Sequence, residues 1–395
     1  MAATMPLRFL TAGESHGPAL TVIVEGLPAG LLVDRTAIDR DLHRRMGGYG
    51  RGGRMKIEND RVEVLGGVRH ARTLGSPVAM LVRNVDHARW TEAMRTDGTP
   101  PADDGAARRV TRPRPGHGDL AGALKYQTHD ARDVLERASA RETAARTAAG
   151  ALARALLASL DVTVTSRTVA VADVVAPEVD DDLSALLALP DDAPFRCPST
   201  EICARMAAAV DAARQAGDSV GGVFEVLARG VPPGLGSHVH WDRRLDARLG
   251  GAILSIPAVK AVSVGEGMES ASRRGSAQHD AIGYDAAGRR FVRPTNRAGG
   301  IEGGMSNGET VRVRGYLKPL STLPRPLPSV DLVTKEPREA DVERTDTIPI
   351  VAAGVVGEAM TCLVIADEML VKFGGDHLEE VRRNLHGYRA ALASF

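Results

Sequence analysis

The sequence predicts a mixed α/β or α+β protein folded as one unit, and three observations carry that prediction. Short β-branched runs, several with apolar residues at every second position, alternate with longer Ala-rich segments whose apolar residues recur every three or four. The 42 glycines fall in clusters between these segments, at 47–53, 116–122, 221–222, 299–308 and 374–375. No composition break and no Gly/Ser linker divides the 395 residues.

Taken in order, strands are predicted over 19–25, 61–68, 77–83, 162–171, 222–228 and 310–317. Helices are predicted over 34–46, 130–160, 200–216, 242–254, 354–373 and 376–392. The segment 130–160 is the strongest helix, because Ala, Leu, Arg and Glu are good helix formers. Polar, Pro-bearing stretches at 97–115, 173–198 and 324–345 read as loops. The apolar stretch 348–373 is interrupted by Glu358, Asp367 and Glu368 and reads as a buried helix rather than a membrane span.

Composition narrows the function classes. Fifty Lys+Arg balance fifty Asp+Glu, with 43% apolar and 25% charged residues, which is ordinary globular usage and excludes a disordered tail or a supercharged nucleic-acid binder. Aromatics make up 3%, too few for a base-stacking platform. Cys197, Cys203 and Cys362 form no CxxC pair, so neither a disulfide framework nor a zinc site is expected, and no metal is assigned. The first ten residues lack a charged region followed by an apolar one, so a cytoplasmic protein is expected. Only six of the 50 basic residues are lysine. An Arg-rich genome gives the same bias, so position has to decide whether the guanidinium groups serve as oxyanion forks.

Several segments carry chemistry. Residues 48–53 match G-x-G-x-x-G, but a helix bearing Arg40, Arg44 and Arg45 precedes them where a dinucleotide fold needs a strand. What remains is a Gly-rich loop with Arg45, Arg51 and Arg54, which suits a polyanion and equally suits a solvated basic loop. His16 sits in Gly13-Glu14-Ser15-His16-Gly17, and His117 follows Arg114 on a Pro/Gly turn. Either histidine is suited to proton transfer near neutrality, although a lone histidine is more often structural. His238 and His240 lack a third ligand and read as structural. Arg137 and Arg141 stand one turn apart on the predicted 130–160 helix and would share a face. The run 299–308 is too glycine-rich for a plain strand and suits close ligand approach or a tight turn. Lys318 to Thr322 offers a cation and two hydroxyls after a strand. Asp346 stands between Arg344 and the apolar run, where burial and a nearby guanidinium oppose each other and the guanidinium is expected to keep the carboxylate ionised.

Assembled in this order, the segments resemble the chorismate synthase family. The matching stretches are GESHG (13–17), RRMGGYGRGGRM (44–55), RPGHGD (114–119), ERASARETAAR (136–146), GDSVGG (217–222), GLGS (234–237), RGS (274–276), NRAGGIEGGMSNG (296–308), KPLST (318–322) and RTD (344–346), covering nearly the whole chain. The resemblance implies a single α+β domain over 1–395, a β-α-β sandwich, assembled as a homotetramer. It implies an anti-1,4-elimination that converts 5-enolpyruvylshikimate 3-phosphate into chorismate and inorganic phosphate, with reduced FMN (FMNH2) required although no net redox change occurs. It places His16 as the acid for the departing phosphate, His117 near the flavin, and Asp346 with the flavin N5 region in ring deprotonation. For FMN the matching positions are Arg137, Ala138, Ser139, Pro257, Ala258, Gly303, Lys318, Pro319, Leu320, Ser321, Thr322 and Arg344. Pro257 departs from the Asn or Gln common there, which removes a side-chain amide. Arg45, Arg51, Arg54, Arg114 and Arg141 are expected around the substrate anions. The Arg45 and Arg51 positions are often treated as NADP contacts in the family, but substrate contact is the better physical reading because an external flavin reductase is expected to supply reduced FMN. Nucleic acid and membrane are not expected partners. A flavin reductase or NADPH-dependent oxidoreductase would share the flavin loops but leave the two separated histidines unexplained. An RNA-binding protein conflicts with the zero net charge.

Overall fold

The computed structural model describes residues 6–53, 58–99, 101, 103–181 and 183–395. Two antiparallel sheets are drawn from widely separated stretches. The first joins β1 (Arg8–Ala12), β2 (Ala19–Glu25), β3 (Val62–Gly66) and β4 (Val78–Arg83) in the order β1-β2-β4-β3. The second joins β5 (Thr163–Val171), β6 (Val174–Val175), β7 (Gly222–Arg229), β8 (Val259–Val264) and β9 (Val311–Leu317) in the order β8-β9-β7-β5-β6. Period-2 alternation in β2 does what it predicts: Leu20, Val22 and Val24 are buried while Ile23 and Glu25 are exposed. In β5 nearly every residue is buried, so both of its faces are covered. On one of them Arg167 faces Glu225 of β7, which in turn faces Arg314 of β9 in register, a buried row of alternating charge.

The longer helices are α1 (Arg35–Met46), α2 (Asp119–Tyr126), α3 (Arg132–Ala138), α4 (Thr143–Ala158), α5 (Thr200–Gln215), α6 (Leu245–Leu254), α7 (Ile350–Phe373) and α8 (Leu378–Ala393). Helix α4 packs on β2 and β4, α7 packs on β5 and β7, and the two helices pack on each other. Small residues set their spacing. A Cβ on Gly150 would lie 2.3 Å from Cβ of Ala359, so only glycine allows this crossing. One apolar cluster runs from Leu20 and Val22 through Leu152 and Leu156 to Phe224 and Met369, joining both sheets to both helices. Helix α7 is long and apolar enough to cross a membrane, but its most apolar stretch is wholly buried in protein, and Glu358 within it bonds Arg44, Arg154 and Ser166.

The predicted strands and the helices at 34–46, 200–216, 354–373 and 376–392 stand with shifts of a few residues at their ends. The predicted helix 130–160 does not run unbroken. Ser139 adopts an extended conformation (φ −65°, ψ 141°) and its hydroxyl accepts the Arg141 N–H, so α3 ends there and α4 begins after a short 3₁₀ turn. A serine side chain competing for backbone bonds ends a helix that propensity alone would continue. The 242–254 helix likewise divides at Arg244 into a 3₁₀ turn and α6. The expected loop 324–345 contains a hairpin, Pro328–Val330 with Pro337–Glu339, and the turn around His117 leads straight into α2. Strands β1 and β8 were not predicted. Each is the first strand in the hydrogen-bonded order of its sheet, and its apolar residues follow no strict alternation.

Candidate active site

A cleft opens where the turn after β1, the loop after α1, the α3–α4 junction and segments 320–322 and 343–349 meet. His16 lies in its wall, 7% exposed. Glu136 of α3 reaches it twice, accepting from the His16 backbone N–H at 2.8 Å and meeting Nδ1 at 2.8 Å. Burial pushes the Glu136 carboxyl up, but its bonds to His16 outweigh that and hold it below the usual range. The His16 ring stacks on Trp90, with centroids 3.8 Å apart and planes 25° apart. The Arg108 guanidinium lies 3.9 Å from the same indole centroid. Two groups that close cannot share one face, so the indole is held between ring and cation.

His117 is held within its own turn. Its Nδ1 bonds Asp119, the first residue of α2, and Arg114 also grips that carboxylate while donating to Thr322. Burial raises the Asp119 carboxyl, but the bonds from His117 and Arg114 and the position at a helix start keep it well below the usual range.

Every arginine in the cleft already faces a carboxylate. Arg45 donates to Asp60 at 2.9 Å, and Arg141 donates to Asp60 and Glu58 at 2.5 and 3.2 Å. Burial raises Asp60, yet the two guanidinium groups bring it below its ordinary value. Arg45 is pushed the other way: burial, against the pull of Asp60 and with Arg141 and Arg51 near, lowers it, and its Nε finds no hydrogen-bond partner among the described residues. Arg51 donates to Asp346 at 2.6 Å, and the Gly52 N–H donates to the other carboxylate oxygen at 2.6 Å. Arg344 donates instead to Asp86. The guanidinium beside Asp346 is therefore Arg51, not Arg344 as its neighbourhood in the sequence suggests.

His16, His117, Asp346, Arg45, Arg51, Arg114, Arg141, Ser139, Pro257, Leu320, Ser321, Thr322 and Arg344 all line this one cleft. The break at Ser139 separates Arg137 from Arg141. Arg137 turns to the carbonyls of Thr11 and Gly13, so the two do not share a face. Ala138, Ala258, Lys318 and Pro319 do not line the cleft; Lys318 donates to the Gly116 carbonyl beside His117 and Ala258 is held at φ 70°. Gly303 and Gly304 make the tip of the hairpin Ile301–Glu302 with Met305–Ser306, both with positive φ, and Gly304 packs on Arg244 and Ser237 away from the cleft. Arg54 lies outside the described residues. His238 and His240 are exposed on a loop.

Sequence reasoning assigned no role to Asp119, Asp60, Asp86 or Trp90, and offered Glu136 only as an ion-pair partner for Arg137 and Arg141. Asp119 stands two residues from His117 and was within reach of a local reading. Glu136 is 120 residues from His16, and no periodicity links them.

A cleft with five arginines, each beside a carboxylate, and two histidines each braced by a carboxylate suits an enzyme that moves protons on a small polyanion. The chorismate synthase family model matches residues 7–370. The chain is 55% identical to the chorismate synthase of Solibacter usitatus over 392 residues, 98% of this chain and 100% of that one. It is 55% identical to that of Symbiobacterium thermophilum over 390 residues, 98% and 100% of the two chains. A crystal structure of chorismate synthase superposes with a TM-score of 0.76 at 38% identity, covering 98% of this chain and 99% of that one. The chain belongs to the chorismate synthase family, whose members are lyases.

Proposed function

We propose that the cleft carries out the anti-1,4-elimination of phosphate from 5-enolpyruvylshikimate 3-phosphate, yielding chorismate, with reduced FMN bound beside the substrate. The observation that carries this reading is the meeting in one cleft of His16, His117, Asp346 and five arginines contributed by stretches from residue 16 to residue 346.

The residues present fit the flavin. Leu135, Ile256, Pro257, Pro349, Ala352 and Ala353 give the cleft an apolar wall, and Ser139, Ser321, Thr322 and Arg344 give it donors, a combination suited to a flat ring with an anionic tail. When bound, reduced FMN supplies an electron-rich ring against the reacting substrate. The chain's own groups do the rest. Arg45, Arg51 and Arg141 bind substrate anions, and the Arg45 Nε is a buried donor with no acceptor among the described residues. Because ionised Glu136 can only accept, Nδ1 of His16 carries a proton toward it, and Nε2 is the nitrogen that passes a proton to the leaving phosphate. Asp346, held by Arg51 and the Gly52 N–H, takes the ring proton.

The subunit is a single-domain β-α-β sandwich that assembles as a homotetramer in the cytoplasm, with a separate flavin reductase supplying FMNH2. Substrate rather than NADP at Arg45 and Arg51 is supported by their place inside the cleft among Asp60 and Asp346. Anaerobic turnover of the phosphorylated enolpyruvyl substrate with photoreduced FMN, followed by chorismate absorbance, tests the reading. NADPH consumption without that substrate, in place of chorismate formation, would point instead to an oxidoreductase.

A further inference from the structure

We propose that Glu136 is a positioning residue that fixes the orientation of the His16 ring at the cleft, with Trp90 as the opposite jaw of the same clamp. This rests on the reading of His16 as the acid for the departing phosphate. The geometry is specific. One carboxylate bonds both the backbone N–H and the ring Nδ1 of a single residue, so backbone and ring torsions are fixed together. Stacking on Trp90 fixes the remaining freedom, the tilt of the ring plane. Glu136 is in turn held by Arg132, which also bonds Glu343.

Across the cleft His16 shares its walls with Arg45, Arg51, Glu58, Arg114, His117, Arg141 and Asp346, and nearer groups approach it from two elements. From α3 come Glu136 and, behind it, Arg132. From the 85–90 turn come His87, whose Nδ1 meets the His16 carbonyl, and Asp86, which Arg344 occupies. Arg108 is screened by the indole, and Glu343 is engaged by Arg132. Of these, Glu136 is the one carboxylate that the structure places on the His16 ring. Burial opposes its charge, but its bonds to His16 keep it ionised below the usual range.

The stack supplies a readout that needs no substrate. The chain has two tryptophans, and the other, Trp241, is 73% exposed. In a Trp241→Phe background the fluorescence belongs to Trp90, and the imidazole stacked on the indole sets its emission. The expected result is that Glu136→Gln shifts Trp90 emission most of the way toward that of His16→Ala, because a ring released by its carboxylate no longer stays on the indole. Glu136→Asp keeps the carboxylate and should restore most of the parent emission. Turnover should then show a kcat at least about tenfold lower in Glu136→Gln with KM changed less than threefold, because the lost term is alignment in the transition state. Thermal melts by circular dichroism confirm that each variant is folded. Parent-like emission in folded Glu136→Gln, or no change of emission in His16→Ala, overturns the clamp. Changed emission with undiminished kcat leaves the pairing intact and overturns the catalytic use of it, which separates this inference from the reading of His16 as acid.

Discussion

Arg44 and Arg45 are neighbours on the last turn of α1, yet they belong to two different regions. Arg44 points into the core, where Asp41 and both oxygens of Glu358 take up its donors, and Arg154 shares the same carboxylates. Burial opposes its charge, but those anions win and raise it well above the ordinary arginine value, while Glu358 is driven well below the carboxylate range. Arg45 points into the cleft, shares Asp60 with Arg141, keeps one buried N–H without an acceptor among the described residues, and is lowered. The donors of Arg44 are answered by carboxylates of its own chain, and Arg141 in the cleft is answered as fully, so what sets Arg45 apart is one buried donor with no acceptor among the described residues.

The sharpest way to break this contrast is to empty the core network. Glu358→Gln leaves Arg44 and Arg154 buried without their shared anion, and should cost about 3–5 kcal/mol of stability in urea titration. A loss under ~1 kcal/mol would mean that water or Asp41 already neutralises them. On the cleft side, Arg45→Ala should weaken substrate binding by about 2–5 kcal/mol, read by calorimetry. It should cost less stability than Glu358→Gln, because Asp60 retains Arg141. If folding suffers more than binding, Arg45 belongs with the core group.

The charged row of the second sheet extends the comparison to pH. Burial pushes Glu225 up, but Arg167, Arg312 and Arg314 bring it from its ordinary value of 4.5 to about 2. A folded-state value lower than the unfolded one adds stability above the unfolded value, and that stability is lost as pH falls through the folded one. The advantage of the parent protein over Glu225→Gln, up to about 3 kcal/mol at neutral pH, should therefore shrink between about pH 4.5 and 2. Denaturation curves at three pH values decide it, and a gap that does not change with pH refutes the pairing. The smallest effect is expected at Asp346. Asp346→Asn keeps the shape and one of the two bonds to Arg51 and Gly52, since only its amide oxygen accepts, and it cannot take a proton. It should bind ligands nearly normally and turn over at least about tenfold more slowly, roughly 1.4 kcal/mol in the barrier. A deuterium label on the ring position should show a larger rate effect than in the parent. Unchanged turnover and isotope effect would make the carboxylate a clasp for Arg51.

Much of the frame was legible because its signals are local. The alternation in β2, the apolar run of α7 and the small residues of α4 each fix a face that must be buried, whatever lies opposite. The helix break was less legible, since propensity over 130–160 is nearly uniform and a single serine hydroxyl decided it. In the site, His16, His117, Arg45, Arg51 and Asp346 stood out by motif. The partner of each was a different matter. Asp346 was read beside Arg344, its neighbour two residues away, but the fold brings Arg51 to it across 295 positions of sequence.

The sequence by itself determined most of the strands and helices, that the apolar run is a core helix, and which histidines and arginines stand out as candidates for the chemistry, because period, propensity and motif are properties of short stretches. Tertiary structure alone decided which carboxylate answers each cation. Pairing energy depends on distance and burial between groups far apart in the chain. Adjacent residues such as Arg44 and Arg45 can therefore end in opposite environments, one among core carboxylates and the other in the wall of the cleft.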